Sequence, residues 1–258
     1  MTSIRVVRGD EVRAARSGEG EVFLHFQDSY QEGDRIEIEA PQGYAHVAVD
    51  GVGEALVWMQ GGVYTLPVPF GERRVCYAPG AFSGSEHLVS FRPAWDEELS
   101  GVRDLALNPL DCHANKGMFP HASANVETRG EASFEARNAI DGLWANDCHG
   151  HWPYSSWGIN RDPKAALTID FGRKVEVVAV GLVLRADFPH DAWWREATVE
   201  FDEGTKLVCP LVKSGREQRA RVPALQTRTV VLHSLVKADD PSPFPALTAI
   251  RVYGRDIR

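Results

Sequence analysis

The sequence contains no apolar run approaching the roughly 20 residues that a helix needs to cross a bilayer. It also contains no basic run or stripe, and its net charge is -8, so we expect neither a membrane nor a nucleic acid as a partner. The N-terminus lacks the apolar core of a signal peptide. We therefore expect a cytoplasmic protein, or a secreted one if a leader has been removed.

Cysteine is scarce, and no two cysteines form a CxxC pair. A chain divided near residue 100 would carry one cysteine in the first part and three in the second. These odd numbers argue against a disulfide framework and suit a reducing compartment. The four residues are Cys76, Cys112, Cys148 and Cys209.

Long amphipathic helices are also missing, and short alternating stretches bounded by Gly, Pro and Asp-Gly take their place. Their spacing predicts an antiparallel sandwich in the first 95 residues. Residues 66–70 contain two prolines, which cannot donate to a ladder, so this run is predicted to be an edge or a loop. The predicted strands are 22–26, 35–39, 45–49, 55–59, 63–66, 74–77 and 87–91.

The pattern changes at residues 94–107, where an acidic stretch predicts one helical turn that ends before Asn108-Pro109. We place a domain boundary here, with an N-terminal β-sandwich in 1–103 and a second in 104–258. The segment 96–120 carries Leu105, Leu107 and Leu110, so we expect it to be packed between the domains. The second unit is predicted to contain strands at 166–171, 175–184, 196–201, 206–209, 218–222, 227–232 and 247–253. The predicted fold class is thus all-β, with two β-sandwich (jelly-roll) domains.

Residues 138–157 combine Trp, Tyr, His, Asp and Cys without any helical or strand period. Such segments are usually loops that present side chains. Two other segments are similarly polar and aromatic, namely 121–129 and 185–194. We expect all three to meet in one polar site with aromatic walls.

The second unit resembles the discoidin-like domain, also called the coagulation-factor C-type or galactose-binding-like domain, over roughly residues 120–256. The matching features are Ala139-Ile140-Asp141-Gly142 followed by Trp, then 167–172, 175–185, 197–204 and 247–254, in this order. The resemblance implies an eight-stranded jelly-roll, and many bacterial members of the family bind sugars. The whole chain resembles a bacterial two-domain family.

The resemblance also implies roles for individual residues. Arg185 matches an arginine that often grips sugar hydroxyls, and His149 or His151 matches a histidine that often joins it. Asp141 matches an aspartate that commonly ligates a structural calcium ion, although a simple Asx-turn would use the same residue. The loop after Asp141 is longer and richer in Trp and His than the family pattern.

A sugar site needs aromatic planes for the C–H faces and polar groups for the hydroxyls. Arginine suits this task because its planar fork offers five fixed donors. We expect Arg185 to be the main clamp, with Trp152 or Trp193 as the stacking plane. An ion pair between Arg185 and Asp187 that shapes the loop is the alternative interpretation. The predicted ligand-binding residues are Arg185, Asp187, His190, Asp191, His149, Trp152, Trp193, Asn125 and Glu127.

Other functions stay open at this point. Glu127, Asp141, Asp187, His190 and Asp191 include candidates for an acid and a base in glycoside or lyase chemistry, but no catalytic residue is assigned. A structural role, with sandwich faces pairing into a homo-oligomer, is the third class. The run Cys148-His149-Gly150-His151 hints at zinc, but no second ligand cluster accompanies it, so His113 and His121 would have to fold in. The sequence thus favours a non-catalytic carbohydrate-binding protein.

Overall fold

The computed structural model describes residues 1–147, 149–150 and 152–257, and within them the chain is almost entirely β. No helix in these ranges is long and apolar enough to cross a membrane. The strands are β1 Thr2–Arg8, β2 Glu11–Gly18, β3 Val22–Phe26, β4 Asp34–Ala40, β5 Gly43–Val49, β6 Gly53–Met59, β7 Gly62–Pro67, β8 His87–Pro93, β9 Arg103–Asp104, β10 Met118–Phe119, β11 His121–Ala124, β12 Trp157–Gly158, β13 Leu167–Leu184, β14 Trp194–Phe201, β15 Lys206–Pro210, β16 Gln218–Lys237 and β17 Ala246–Asp256. Helical segments are α1 Asp96–Leu99 and short 3-10 turns at Gly71–Arg74, Ala132–Phe134 and Ala136–Ala139, whereas Thr128–Gly130 and Asp202–Gly204 are tight turns with a left-handed residue at their centre.

Two antiparallel sheets form in the first part of the chain, in the orders β2-β1-β4-β7 and β10-β6-β5-β8-β3. Alternation builds their core: Ile36 and Ile38 of β4 are fully buried, whereas Glu37 between them points away. The predicted sandwich is confirmed. The prediction that 66–70 is an edge or a loop is also confirmed, since β7 is an edge strand and ends at Pro67.

One strand prediction in this part is wrong. Residues 74–77 follow a 3-10 turn and form no strand, because the Tyr77 N–H donates to the Arg74 carbonyl instead of to a neighbouring strand. The apolar residues of this run pack without pairing into a strand: Cys76 is buried near the guanidinium of Arg137. The sequence signals for β1 and β2 were missed.

A continuous eight-stranded sheet dominates the rest of the chain, with β13 and β16 as its longest strands. The runs 166–171 and 175–184, predicted separately, join into β13. Its pairing with β16 shifts register between Asp170 and Val175, and such irregularities bend a strand. The sheet encloses a second hydrophobic core that includes Leu167, Phe171 and Leu232.

The segment after α1 contributes to both hydrophobic cores. Strand β9 pairs with β17, and Leu105 packs in the second core. Further along, Leu110 and Met118 pack in the first core, and β10 pairs with β6. The segment is therefore packed, as expected, rather than a free tether. The domain boundary at 103/104 stays a prediction.

Candidate functional site

A cavity of about 250 Å³ opens at one end of the large sheet. Residues of all three segments singled out in the sequence line it: Arg129 from the first, His149 from the second, and Arg185 and His190 from the third. Phe134 and two further segments, 158–161 and 244–246, complete the wall. The predicted convergence of the three loops is thus found in the structure, with neighbours that the sequence did not reveal.

Arg185 lies at the base of this cavity, directly after β13. Its side chain is almost entirely buried, with 2% of the residue exposed, yet the residue borders the cavity. Its Nε lies 3.3 Å from Asp191 Oδ2, too poorly aligned for a hydrogen bond, so this contact is an ion pair only. The guanidinium carbon also lies 5.6 Å from the centre of the Phe134 ring, within cation–π range. These contacts fix the direction of the guanidinium.

His149 receives a hydrogen bond from this guanidinium: Arg185 Nη2 donates to Nδ1 over 2.5 Å. An imidazole that accepts at Nδ1 is neutral and carries its proton at Nε2, so the second nitrogen is a free donor. Burial, the charge of Arg185 and the proximity of His190 lower the pKa of His149 below its ordinary value. The pair therefore offers donors from both side chains.

The loop 185–191 is held by its own aspartates. Asp191 is 1% exposed, and its Oδ2 accepts the main-chain N–H of Asp187 over 2.8 Å. Asp187 in turn accepts the main-chain N–H of His149 over 2.7 Å. Both carboxylates thus shape the loop around Arg185. The ion pair of Arg185 that the sequence suggested forms with Asp191, four residues beyond the predicted Asp187.

Three aromatic rings stack along one wall. The rings of His149 and His190 lie 4.2 Å apart, and those of His190 and Phe244 lie 5.8 Å apart with planes only 15° from parallel. Phe244 is 47% exposed and supplies an exposed aromatic surface in the cavity lining. The sequence analysis missed Phe244, although it lies in the proline-rich loop that precedes β17.

Neither tryptophan proposed as a stacking plane lines the cavity. Trp152 is 37% exposed but lies outside the lining, and Trp193 packs against the second core. Two further tryptophans of the same segments, Trp157 and Trp194, are buried in the protein interior. A buried indole ring contributes its large apolar area to the hydrophobic core, so it is not available to stack on a ligand.

Asn125 and Glu127 also lie outside the cavity, in a separate shallow depression beside His113. The Asn125 side chain joins two main-chain groups, donating to the Lys164 carbonyl and accepting from the Ala166 N–H. Glu127 accepts from the Ala136 N–H over 2.7 Å and contacts His113. Their polar atoms are occupied by the fold, a use that sequence alone does not distinguish from ligand binding.

Asp141 is buried, and its Oδ1 accepts the main-chain N–H of Leu143 over 2.8 Å, which is an Asx-turn. Its Oδ2 has no hydrogen-bond partner among the described residues. A buried, unpaired carboxylate oxygen fits one position of a calcium site. Burial raises the pKa of Asp141 to about 7, and the charge of Arg137 counteracts this only in part. Calcium at this position stays a prediction.

Among the residues that the structure describes, one group has the ligand atoms for a metal ion: His149, Asp187 and His190 offer atoms within 4.8 Å of one another. The stacked rings and the guanidinium of Arg185 oppose a cation here, since ligand nitrogens bind a metal in the ring plane and like charges repel. Cys148 and His151 of the zinc hypothesis lie outside the described residues. The described cysteines Cys76, Cys112 and Cys209 are free thiols.

The lining of the cavity contains no aspartate or glutamate among the described residues. A glycosidase needs two carboxyl groups on opposite sides of one scissile bond. Glu127 and Asp141, two of the sequence candidates for acid and base, lie elsewhere. The catalytic alternative therefore gains no support from this cavity.

No protein-family profile and no curated protein matches the sequence. Solved structures do match. A chitosan-binding module from a Paenibacillus sp. IK-5 chitosanase/glucanase is 21% identical with a TM-score of 0.42, over 60% of this chain and 100% of the module. A Streptococcus pneumoniae fucose binding module is 15% identical with a TM-score of 0.44, over 60% and 99%. A family 32 carbohydrate-binding module of C. perfringens NanJ, solved with galactose, is 13% identical with a TM-score of 0.39, over 51% and 91%.

These structures are modules of the class that the sequence resemblance named. At such identities and TM-scores, no ligand and no residue role is carried from them to this chain.

Proposed function

We propose that this protein binds a carbohydrate in the cavity at Arg185. The observation that carries the proposal is the position of the Arg185–His149 pair beside the exposed ring of Phe244. Fixed donors next to an exposed aromatic surface are the combination that a sugar ring requires, because it presents hydroxyls at its rim and C–H groups on its faces.

The size of the cavity supports a small ligand. Its volume of about 250 Å³ lies below the range of about 300–1,000 Å³ typical of sites for drug-sized molecules. One sugar ring, or the end of a longer glycan, suits this space better than an extended chain.

Preorganisation supports the proposal as well. The Arg185 side chain is held by Asp191 and His149 and covered by aromatic rings, so little rotamer entropy is lost when a ligand binds. A mobile arginine on the surface would lose much more rotamer entropy on binding. The donors that the pair leaves open can therefore meet a ligand with little loss of side-chain freedom.

A glycan array followed by calorimetry tests the proposal. We expect the wild type to bind at least one glycan, and Phe244→Ala and His149→Ala to weaken that binding at least tenfold. Phe23→Ala is the matched control, because Phe23 is 55% exposed, close to the 47% of Phe244, but lies on β3 outside the cavity lining. Absence of any bound glycan, or equal losses in Phe23→Ala and Phe244→Ala, would contradict the proposal.

A further inference from the structure

The cavity lining is rich in arginine, although the protein as a whole is acidic. The chain has a net charge of -8. Three arginines nevertheless line the cavity, Arg129, Arg161 and Arg185, and the described lining holds no carboxylate. An arginine in this lining that has no carboxylate partner would attract an anionic ligand.

The three arginines differ in their partners. Arg185 pairs with the buried Asp191, and Arg129 pairs with Glu131 through contacts of 2.5 and 2.8 Å. For Arg161, the described part of the chain provides no ion pair. Its guanidinium carbon lies 5.9 Å from the centre of the Phe244 ring, so the charge stands next to the aromatic wall.

The backbone at Arg161 is costly to maintain. Asn160 and Arg161 have φ values of 48° and 60°, and the Asp162 N–H donates to the Ile159 carbonyl over 2.9 Å. This geometry matches a type I′ turn, whose second central position strongly favours glycine. Asn160 suits the first position, whereas Arg161 occupies the second without the conformational freedom of glycine.

A second turn beside it has the same form. Arg129 and Gly130 have φ values of 55° and 65°, and the Glu131 N–H donates to the Thr128 carbonyl over 3.2 Å. Six described non-glycine residues have positive φ, and three of them, Arg129, Asn160 and Arg161, line this one cavity. Strained backbone positions cluster at functional sites, where the surrounding structure holds the residue in its conformation.

We infer that the cavity selects a sugar that carries a negative charge, a carboxylate or a sulfate, and that Arg161 binds this anionic group. The inference rests on the proposed carbohydrate function and adds the ligand class and a specificity-determining residue. Arginine suits the role because its planar fork pairs with two oxygens of such a group. Arg185 and His149 remain available for the hydroxyls.

Calorimetry with matched sugars tests the inference. The probes are galactose, galacturonate and galactose 6-sulfate, with the corresponding glucose series, each as the monosaccharide and as an oligosaccharide. We expect the wild type to bind an acidic member at least tenfold more tightly than its neutral counterpart, with a preference that shrinks at high salt. The carboxylate and sulfate series identify which anion is the better ligand.

Arg161→Gly is the decisive variant, and Glu203→Gly is its control, because Glu203 also has positive φ, 65°, but lies in an exposed turn away from the cavity. Both should raise Tm by roughly 2–4 °C, since both relieve a left-handed residue. Only Arg161→Gly should lower the ratio of acidic-sugar to neutral-sugar affinity, by about tenfold, whereas Glu203→Gly should leave this ratio as in the wild type.

The outcomes separate the two proposals. Binding of neutral and acidic sugars with equal affinity, or an acidic preference that survives in Arg161→Gly, would overturn the role of Arg161 and leave carbohydrate binding intact. No binding to any member of either series, nor to a glycan array, would overturn carbohydrate binding itself.

Discussion

The main-chain N–H of Asn160 donates a hydrogen bond of 2.9 Å to Thr128 Oγ1. This bond joins the two I′-type turns that carry Arg129 and Arg161. Gly158 permits the approach, because a Cβ at this position would lie 2.6 Å from Thr128 Oγ1 and 3.0 Å from Phe134 Cβ. The rim of the cavity is therefore built from two turns that hold each other in place.

Gly158→Ala should disrupt this contact. The added methyl group would push Thr128 and Phe134 apart, and such overpacking typically costs about 1–3 kcal/mol. We expect a lower free energy of unfolding in urea and weaker ligand binding. Gly101→Ala is the control, because its Cβ would meet no atom within 4 Å. Equal stability of the two variants would contradict the close contact.

Asp191→Ala should be severely destabilising. It leaves the buried Arg185 without its carboxylate, and breaking a buried ion pair in this way costs roughly 3–5 kcal/mol. The matched control is Glu131→Ala, which removes the partner of the exposed Arg129 and should cost about 0–1 kcal/mol. Chemical denaturation measures both. A loss below about 1 kcal/mol in Asp191→Ala would show that water reaches Arg185.

Ligand affinity should weaken as the pH falls below the ordinary pKa of histidine, about 6.5. The pKa of His149 is lowered, so the neutral ring is the folded form, and a proton on Nδ1 would place two donors opposite each other at Arg185. The same shift lets the unfolded state bind more protons, so stability also declines as the pH falls through this window. Calorimetry between pH 5 and 8 tests this, and His149→Gln should flatten the profile. Unchanged or tighter binding at pH 5 would contradict it.

Asp141 should give stability the opposite pH dependence. Burial raises its pKa to about 7, so the folded state holds a proton that the unfolded chain releases above about pH 4. The contribution of Asp141 to the free energy of unfolding is therefore complete below pH 4 and declines as the pH rises to about 7. Urea titrations should show a smaller decline over this window in Asp141→Asn. An unchanged slope would mean that the group is ionised throughout.

Calcium binding at Asp141 would compete with protonation of the same carboxylate. If the ion binds, calcium should raise Tm in the wild type and a chelator should lower it, since a ligand of the folded state stabilises it. Asp141→Asn should remove most of both effects. A Tm that responds to neither calcium nor chelator would leave Asp141 with its Asx-turn alone.

Alternation of apolar and polar residues was enough to predict most of the longer strands, because one face of each is buried, but β1 and β2 were missed. It failed at 74–77, where burial occurs without strand pairing, and it separated 166–171 from 175–184, which a register shift joins. Local periodicity does not show which stretch of backbone forms hydrogen bonds with a neighbouring strand.

The candidate site was predictable only in part. Loop composition located His149, Arg185 and His190, which line the cavity. Phe244 and Arg161 were missed, because their contribution depends on a distant loop and on a backbone conformation that no local pattern encodes. Trp152, Asn125 and Glu127 are chemically suitable but lie outside the cavity, and only tertiary contacts make that distinction.

The crossing of residues 104–119 between the two cores has a consequence for how the protein loses its structure. Leu105 belongs to one core, and Leu110 and Met118, a few residues later, belong to the other. Unfolding of either part of the chain would remove side chains from the hydrophobic core of the other part. A fragment starting at residue 104 would expose Leu110 and Met118 to solvent. The intact chain should therefore unfold in a single cooperative step.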